Sequence, residues 1–142
     1  MKFEDFIKSG QARRAEVDAQ LAKALVATAR NDMAFLRTLK INSVSARKIV
    51  SGYYDIIRSL LEADAILSGF KIYSHEALTF YLESKGDVTG ATKFDRFRKI
   101  RNGINYYGKE IDAEEARDVV KDMLDFINSI IPRFKGTGGG RK

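Results

Sequence analysis

A single proline occurs among the 142 residues, and it lies close to the C-terminus at position 132. Proline breaks helices because it lacks a backbone N–H and clashes with the preceding turn. Residues that favour helices, among them Ala, Leu, Lys, Arg and Glu, are abundant, and only glycine-containing joints interrupt them. The chain is therefore expected to be all-α.

Apolar side chains recur at steps of three and four along five segments, which is the spacing that places them on one helix face. The helices are predicted over residues 13–39, 44–68, 74–84, 93–108 and 112–131. In the first of them the predicted interior residues are Val17, Leu21, Leu25, Ala29, Met33 and Leu36. Short joints between the segments predict an up-and-down bundle of the four-helix type, with a short third helix and five helices counting the last.

The ends of these helices carry recognisable signals. Gly69 is expected to end the second helix, Ser74 to cap the third, and Asp112 with Glu115 has the form of a capping box for the last. By length the chain is one domain. We divide it into a lead segment over residues 1–12, which forms a short helix or turn, a bundle over residues 13–134, and a flexible tail over residues 135–142.

The fourth predicted helix carries the densest positive charge. Five Lys or Arg residues and one acid, Asp95, lie between Lys93 and Arg101, and the whole chain has a net charge of +6. Its expected apolar stripe is Phe94, Phe97, Ile100, Ile104 and Tyr107, and its polar side is Arg98, Arg101, Asn102 and Asn105. A glycine within a helix, here Gly103, predicts the close approach of another backbone. The polar side indicates an anionic partner such as RNA or a nucleotide, unless it is simply a solvated helix face.

Composition excludes several other classes of site. The chain has no cysteine and one histidine, His75, so disulfides and metal sites built on histidine pairs are excluded and no metal or cofactor is expected. His75 is expected to pack or to form a local hydrogen bond. The first residues do not resemble a signal peptide and no apolar run approaches membrane length, so we expect a cytoplasmic protein without a membrane partner.

Three stretches, taken in order, resemble one known family. They are Tyr53-Tyr54 through Leu61 and Leu67 to Gly69, then Ser74-His75 with Tyr81-Leu82, then Arg101-Asn102 followed by Tyr106-Tyr107-Gly108. With them the chain resembles the HEPN-domain proteins (higher eukaryotes and prokaryotes nucleotide-binding) of the small archaeal and bacterial type. The likeness covers roughly residues 13–131.

That resemblance implies a helical bundle that often forms a homodimer and works with a small nucleotidyltransferase, as in toxin–antitoxin pairs. It also implies, for many members, metal-independent RNA cleavage by an Arg, a polar residue and a His that follows the Arg after four to six residues. Arg101 and Asn102 match this motif, whereas the positions expected for the His hold Tyr106, Tyr107 and Gly108.

The missing imidazole matters for catalysis. An imidazole with a pKa of about 6.5 can exchange protons at neutral pH, whereas a tyrosine with a pKa of about 10 is a poor base there. The candidate catalytic residues are Arg101, Asn102 and Tyr106, and the candidate RNA- or nucleotide-binding residues are Arg98, Arg101, Asn102, Asn105, Tyr106 and Tyr107. The substitution favours a binding module whose catalysis is weakened or lost. The alternatives are a toxin-type ribonuclease with Tyr in place of His, and a non-enzymatic assembly or adaptor bundle.

Overall fold

Six α-helices and two short strands make up residues 1–134, the part of the chain that our computed structural model describes. In chain order they are α1 (Phe3–Lys8), β1 (Ala12–Arg14), α2 (Ala19–Arg37), α3 (Ala46–Leu67), β2 (Phe70–Ile72), α4 (His75–Ser84), α5 (Val88–Tyr106) and α6 (Ala113–Ile130), followed by a 3-10 turn (Ile131–Phe134). Helices dominate the structure, so the predicted all-α bundle is confirmed.

Helix α3 lies at the centre of the bundle. It packs against α2, α6 and α5 and also touches α4 and β2. Its apolar residues cover a broad arc, and those from Ile49 to Ile66 that face inward are buried. A helix with so broad an apolar arc has to be enclosed on several sides, as α3 is.

The N-terminal part of the bundle differs from the prediction of one helix over residues 13–39. Residues Ala12–Arg14 form β1, which pairs antiparallel with β2 so that Ala12 lies opposite Ile72. Helix α2 starts only at Ala19, where the Asp18 carboxylate accepts a hydrogen bond from the Leu21 N–H at 2.9 Å. Val17, predicted as interior, lies before the helix and is 60% exposed. Leu21 and Leu25 are half-buried, and the buried face of α2 is Ala22, Val26, Ala29, Met33 and Leu36.

Other predicted helix ends are confirmed. Gly69 follows α3 with a φ of 89°, a backbone conformation that costs glycine little. The Ser74 hydroxyl accepts a hydrogen bond from the Ala77 N–H at the start of α4, and the Asp112 carboxylate accepts one from the Glu115 N–H at 2.7 Å. In the lead segment α1 buries Phe3 and Phe6. The predicted tail, residues 135–142, lies outside the described residues.

Helix α5, which carries the basic segment, begins five residues earlier than predicted. The Asp87 carboxylate accepts a hydrogen bond from the Gly90 N–H at 2.8 Å, so this glycine belongs to the first turn and not to a loop. Phe94, Phe97 and Ile104 are buried as predicted and Ile100 is half-buried. Tyr107 is 83% exposed, because the helix ends at Tyr106 and the stripe ends with it.

Gly103 is not required for the reason expected. A methyl group at this position would lie 3.5 Å from the Cδ atom of Lys109, which is an ordinary contact with a side chain. The backbone of Lys109 contacts Gly103 at the Gly103 carbonyl, which accepts a hydrogen bond from the Lys109 N–H at 2.9 Å. Any residue offers that carbonyl, so this backbone contact does not explain why position 103 holds a glycine.

None of the helices found in residues 1–134 combines the length and the apolar character needed to cross a membrane.

Candidate functional site

A line of polar side chains runs between α3 and α5, and we call it the α3–α5 seam. It consists of Ser51, Tyr54 and Arg58 from α3, Arg98, Arg101 and Asn105 from α5, and His75 from the start of α4. At one end the Ser51 hydroxyl donates a hydrogen bond to the Asn105 side-chain oxygen at 3.1 Å. The seam joins residues that are distant in sequence, because α5 packs against both α3 and α4.

The Arg101 guanidinium lies between two aromatic rings. Its central carbon is 5.5 Å from the centroid of the Tyr54 ring and 5.3 Å from that of the Tyr106 ring. One terminal nitrogen donates a hydrogen bond to the Tyr106 hydroxyl at 3.0 Å, while the Nε atom is buried without a partner in residues 1–134. Within that range no carboxylate lies in ion-pairing distance of Arg101. Stacking thus holds the cation in place and leaves its charge uncompensated.

The neighbouring arginines are paired. Arg98 contacts the Asp95 carboxylate at 2.7 Å, and Arg58 contacts the Glu62 carboxylate at 2.9 Å. Burial pushes the pKa of Asp95 upward, but hydrogen bonds and charges from Arg98 and Lys99 outweigh it, so this pKa lies below its ordinary value. Arg98 and Arg58 are therefore committed to internal ion pairs, and Arg101 is the seam cation best placed to meet an external anion.

Tyr54 joins Arg101 to His75. Its side chain is fully buried and stacks on Phe94, with ring centroids 5.6 Å apart. Its hydroxyl lies 3.0 Å from Nδ1 of His75. Burial raises the pKa of Tyr54, so the phenol stays protonated at neutral pH. Burial, followed by the charges of Arg58 and Arg101, lowers the pKa of His75, so its ring is neutral at pH 7.

The residues predicted from sequence fall into three groups. Arg101 and Tyr106 contact each other, and Arg98 lies with Arg101 in the seam beside Tyr54. Asn105 faces Ser51, whereas Asn102 is half-buried without a side-chain hydrogen bond in the described part of the chain. Tyr107 lies beyond the end of α5 and points away from the packed core.

The site residues predicted from sequence did not include four residues of the seam, namely Ser51, Tyr54, Arg58 and His75. Of these, Tyr54 was named only in the family resemblance, and His75 was expected to pack or to form a local hydrogen bond. Both belong to the stretches that carried the family resemblance, and that was the available signal. Their spacing in the sequence does not reveal that Tyr54 contacts both Arg101 and His75, because these contacts depend on how α3, α4 and α5 pack.

Chemically, the arrangement offers groups that can bind an anion. Arg101 supplies a fixed cation, Tyr106 an exposed ring, and His75 a neutral imidazole. In residues 1–134 no cluster of three His, Cys, Asp or Glu side chains is arranged to hold a metal ion.

Lowering the pH from about 7 to about 5 is expected to reduce the free energy of unfolding. An unfolded chain takes up a proton on its histidine near pH 6.5, whereas the native His75, whose pKa is lowered by burial, takes up its proton only at a lower pH. Between these two pKa values the unfolded state holds more protons, so stability falls as the pH falls. Urea denaturation across this range measures the effect.

Because His75 is the single histidine of the chain, the His75→Gln variant provides the control. Its stability should change less than that of the parent over the same range. Asp95 contributes in a separate window, since its lowered pKa matters only as the pH falls below about 3.8. Equal stability of the parent at about pH 5 and about pH 7 would contradict the burial of His75 in neutral form.

Comparison of the chain with protein-family models, with curated proteins and with solved structures finds no match.

Proposed function

We propose that the chain is a HEPN-like module that binds RNA or a nucleotide through Arg101, with catalysis weakened or lost. The observation that supports this best is the guanidinium of Arg101, held between the rings of Tyr54 and Tyr106 without a carboxylate partner in residues 1–134. An arginine that is prepositioned and unpaired suits a phosphate group, which accepts two parallel N–H hydrogen bonds from it.

The surroundings of Arg101 suit a nucleotide in particular. Tyr106 is 68% exposed, so its ring can stack on a base while Arg101 holds the adjoining phosphate. Asn102 and Asn105 lie on the same stretch of α5 and offer hydrogen-bonding groups. The net charge of +6 attracts polyanions over a longer range.

Loss of catalysis follows from Tyr106 standing where the motif requires a histidine. Cleavage by attack of the RNA 2′-hydroxyl needs a base for one proton and a donor for the leaving oxygen. A tyrosine hydroxyl can donate a hydrogen bond but rarely accepts a proton at neutral pH. We infer from the family resemblance alone that the module forms a homodimer and works with a small nucleotidyltransferase.

A metal-independent ribonuclease is the second candidate. It is favoured by the 3.0 Å hydrogen bond from Arg101 to the Tyr106 hydroxyl, which holds that hydroxyl next to the cation that would bind the phosphate. Under this reading Tyr106 replaces the histidine, and Arg101 stabilises charge on the phosphate as the transition state forms.

Binding and cleavage can be measured together. We expect the purified protein to retain a labelled single-stranded RNA or AMP in about 50 mM salt with a chelator present, and to release it progressively as salt is added. No cleavage is expected between about pH 6 and about pH 9. A determination of mass in solution tests the dimer in the same samples.

The results of these assays distinguish the binding module from the ribonuclease and from an assembly protein. Cleavage that persists in chelator and disappears in Tyr106→Phe would replace the binding module with the ribonuclease. Absence of any retention of RNA or AMP at low salt would overturn both, and would leave a helical bundle used for protein assembly.

A further inference from the structure

The buried hydroxyl of Tyr54 determines which nitrogen of His75 carries the hydrogen. Within residues 1–134 its hydrogen-bond partner is Nδ1 of His75, at 3.0 Å. A buried hydroxyl left without an acceptor is unfavourable, so Tyr54 is expected to donate and Nδ1 to accept. The neutral ring then carries its hydrogen on Nε2.

The Nε2 atom is available to a ligand. In the described part of the chain it has no hydrogen-bond partner, and it is not among the buried polar atoms that lack one. His75 as a whole is half-buried, and its Nε2 is not sealed inside the described part of the chain. The ring therefore presents one N–H outward in a fixed orientation.

Four charged groups lie near His75, and most of them are already paired. Arg58 and Asp55 from α3 and Arg98 and Arg101 from α5 all act on His75. Arg98 contacts Asp95, and Arg58 contacts Glu62 and, at 3.9 Å, Asp55. Two groups that contact Tyr54 therefore have N–H donors and no carboxylate partner within residues 1–134. They are the imidazole of His75 and the guanidinium of Arg101.

We propose that His75 is a second binding residue of this site, and that its Nε2–H and the Arg101 guanidinium hold the same phosphate group. Tyr54 positions both, through a hydrogen bond to the imidazole and ring stacking under the guanidinium. This inference rests on the proposed function of Arg101. It adds a binding residue from another helix, His75 at the start of α4. Because the His75 donor is neutral, it can bind phosphate without an acidic pH.

A phosphate at this position could be an internal diester of RNA or the terminal group of a nucleotide. The two sources share the same oxygen acceptors. An oligoribonucleotide without terminal phosphates and AMP distinguish them. Binding of the first would place a backbone phosphate between Arg101 and His75, and binding of AMP alone would place a terminal phosphate there.

Nuclear magnetic resonance of the single histidine tests the tautomer in the unaltered protein. In a tag-free sample labelled with nitrogen-15, both ring nitrogens belong to His75, since the chain has no other histidine. We expect the spectrum of the Nε2–H tautomer at about pH 7, and a shift of its Nε2 resonance when RNA or AMP is added. An Nδ1–H tautomer, or an Nε2 signal unmoved by a ligand that binds, would overturn the proposal.

Two substitutions test the contribution to affinity. His75→Gln keeps an N–H near the position of Nε2 and should bind within a few-fold of the parent. His75→Asn reaches only the position of Nδ1 and should bind roughly tenfold more weakly, the loss expected for one hydrogen bond to a charged group. Thermal unfolding of both variants verifies that they remain folded.

Failure of this inference differs from failure of the site itself. If both variants bind as tightly as the parent while Arg101→Gln binds weakly, His75 only supports Tyr54 and the phosphate contacts Arg101 alone. If no binding depends on Arg101, the proposed function and this inference are both wrong.

Discussion

Replacing Phe94 with Ala is expected to lower the free energy of unfolding by about 3–5 kcal/mol. Phe94 is fully buried, and its ring stacks on that of Tyr54, with 17° between the planes. The substitution removes a large apolar side chain and leaves a cavity where α5 meets α3, a site that the surrounding helices cannot close without moving. In a domain of this length such a loss lowers the melting temperature by roughly 10 °C or more.

Urea denaturation followed by circular dichroism measures this change. The matched control is Val88→Ala, because Val88 lies on the same helix and is 63% exposed. It should alter the free energy of unfolding by no more than about 0.5 kcal/mol. Equal effects of the two substitutions would mean that α5 does not pack on the bundle through Phe94, and the position of Arg101 would then be wrong as well.

The prediction of helix ends worked where the signal is local. Ser74 and Asp112 each accept a backbone hydrogen bond from a residue three positions later, so the information lies within one turn. The same reasoning was available for Asp87, whose carboxylate accepts from Gly90. There the glycines of residues 85–90 suggested a loop, although a glycine in a first helical turn is no obstacle to a capped start.

The small sheet could not be predicted in this way. Its strands have three residues each and pair Ala12 with Ile72 across much of the chain. Ala12–Arg14 carries no strong strand pattern. Its pairing depends on the path of the chain through α3, which brings Phe70–Ile72 alongside β1. Non-local pairing of this kind is set by tertiary contacts and not by propensity.

In the candidate site, too, the sequence contains the relations within one helix but not the contacts between helices. Arg101 and Tyr106 are five residues apart on α5, so the sequence alone could place them on neighbouring turns. Tyr54 and His75 contribute from two other helices, and only packing brings Tyr54 to Arg101 and His75 to Tyr54. The sequence could also not distinguish paired from unpaired arginines, since the ion pair of Arg98 with Asp95 and the stacking of Arg101 depend on side-chain orientation.

Replacing Arg101 with Gln is expected to weaken the binding of RNA or AMP by about tenfold to a hundredfold. The range corresponds to about 1.5–3 kcal/mol for hydrogen bonds to a charged group. The substitution removes a cation that is fixed by two aromatic rings, so the phosphate loses a donor that needed little reorganisation. For a single-stranded RNA the slope of log affinity against log salt should also become shallower by about 0.7, which corresponds to one phosphate contact.

Lys93→Gln is the matched control for this prediction. Lys93 is an exposed residue of the same helix, and its loss changes the net charge by the same amount. If Arg101 binds a phosphate directly, Lys93→Gln should weaken binding by only about twofold. Lys93 would attract the phosphate only from a distance, and solvent and salt screen that attraction. Arg101→Lys adds a second comparison, since it keeps the charge but loses the planar fork and its stacking on Tyr54. Equal losses in Arg101→Gln and Lys93→Gln would mean that RNA responds to the overall positive charge of α5, and that the unpaired guanidinium is not a binding site.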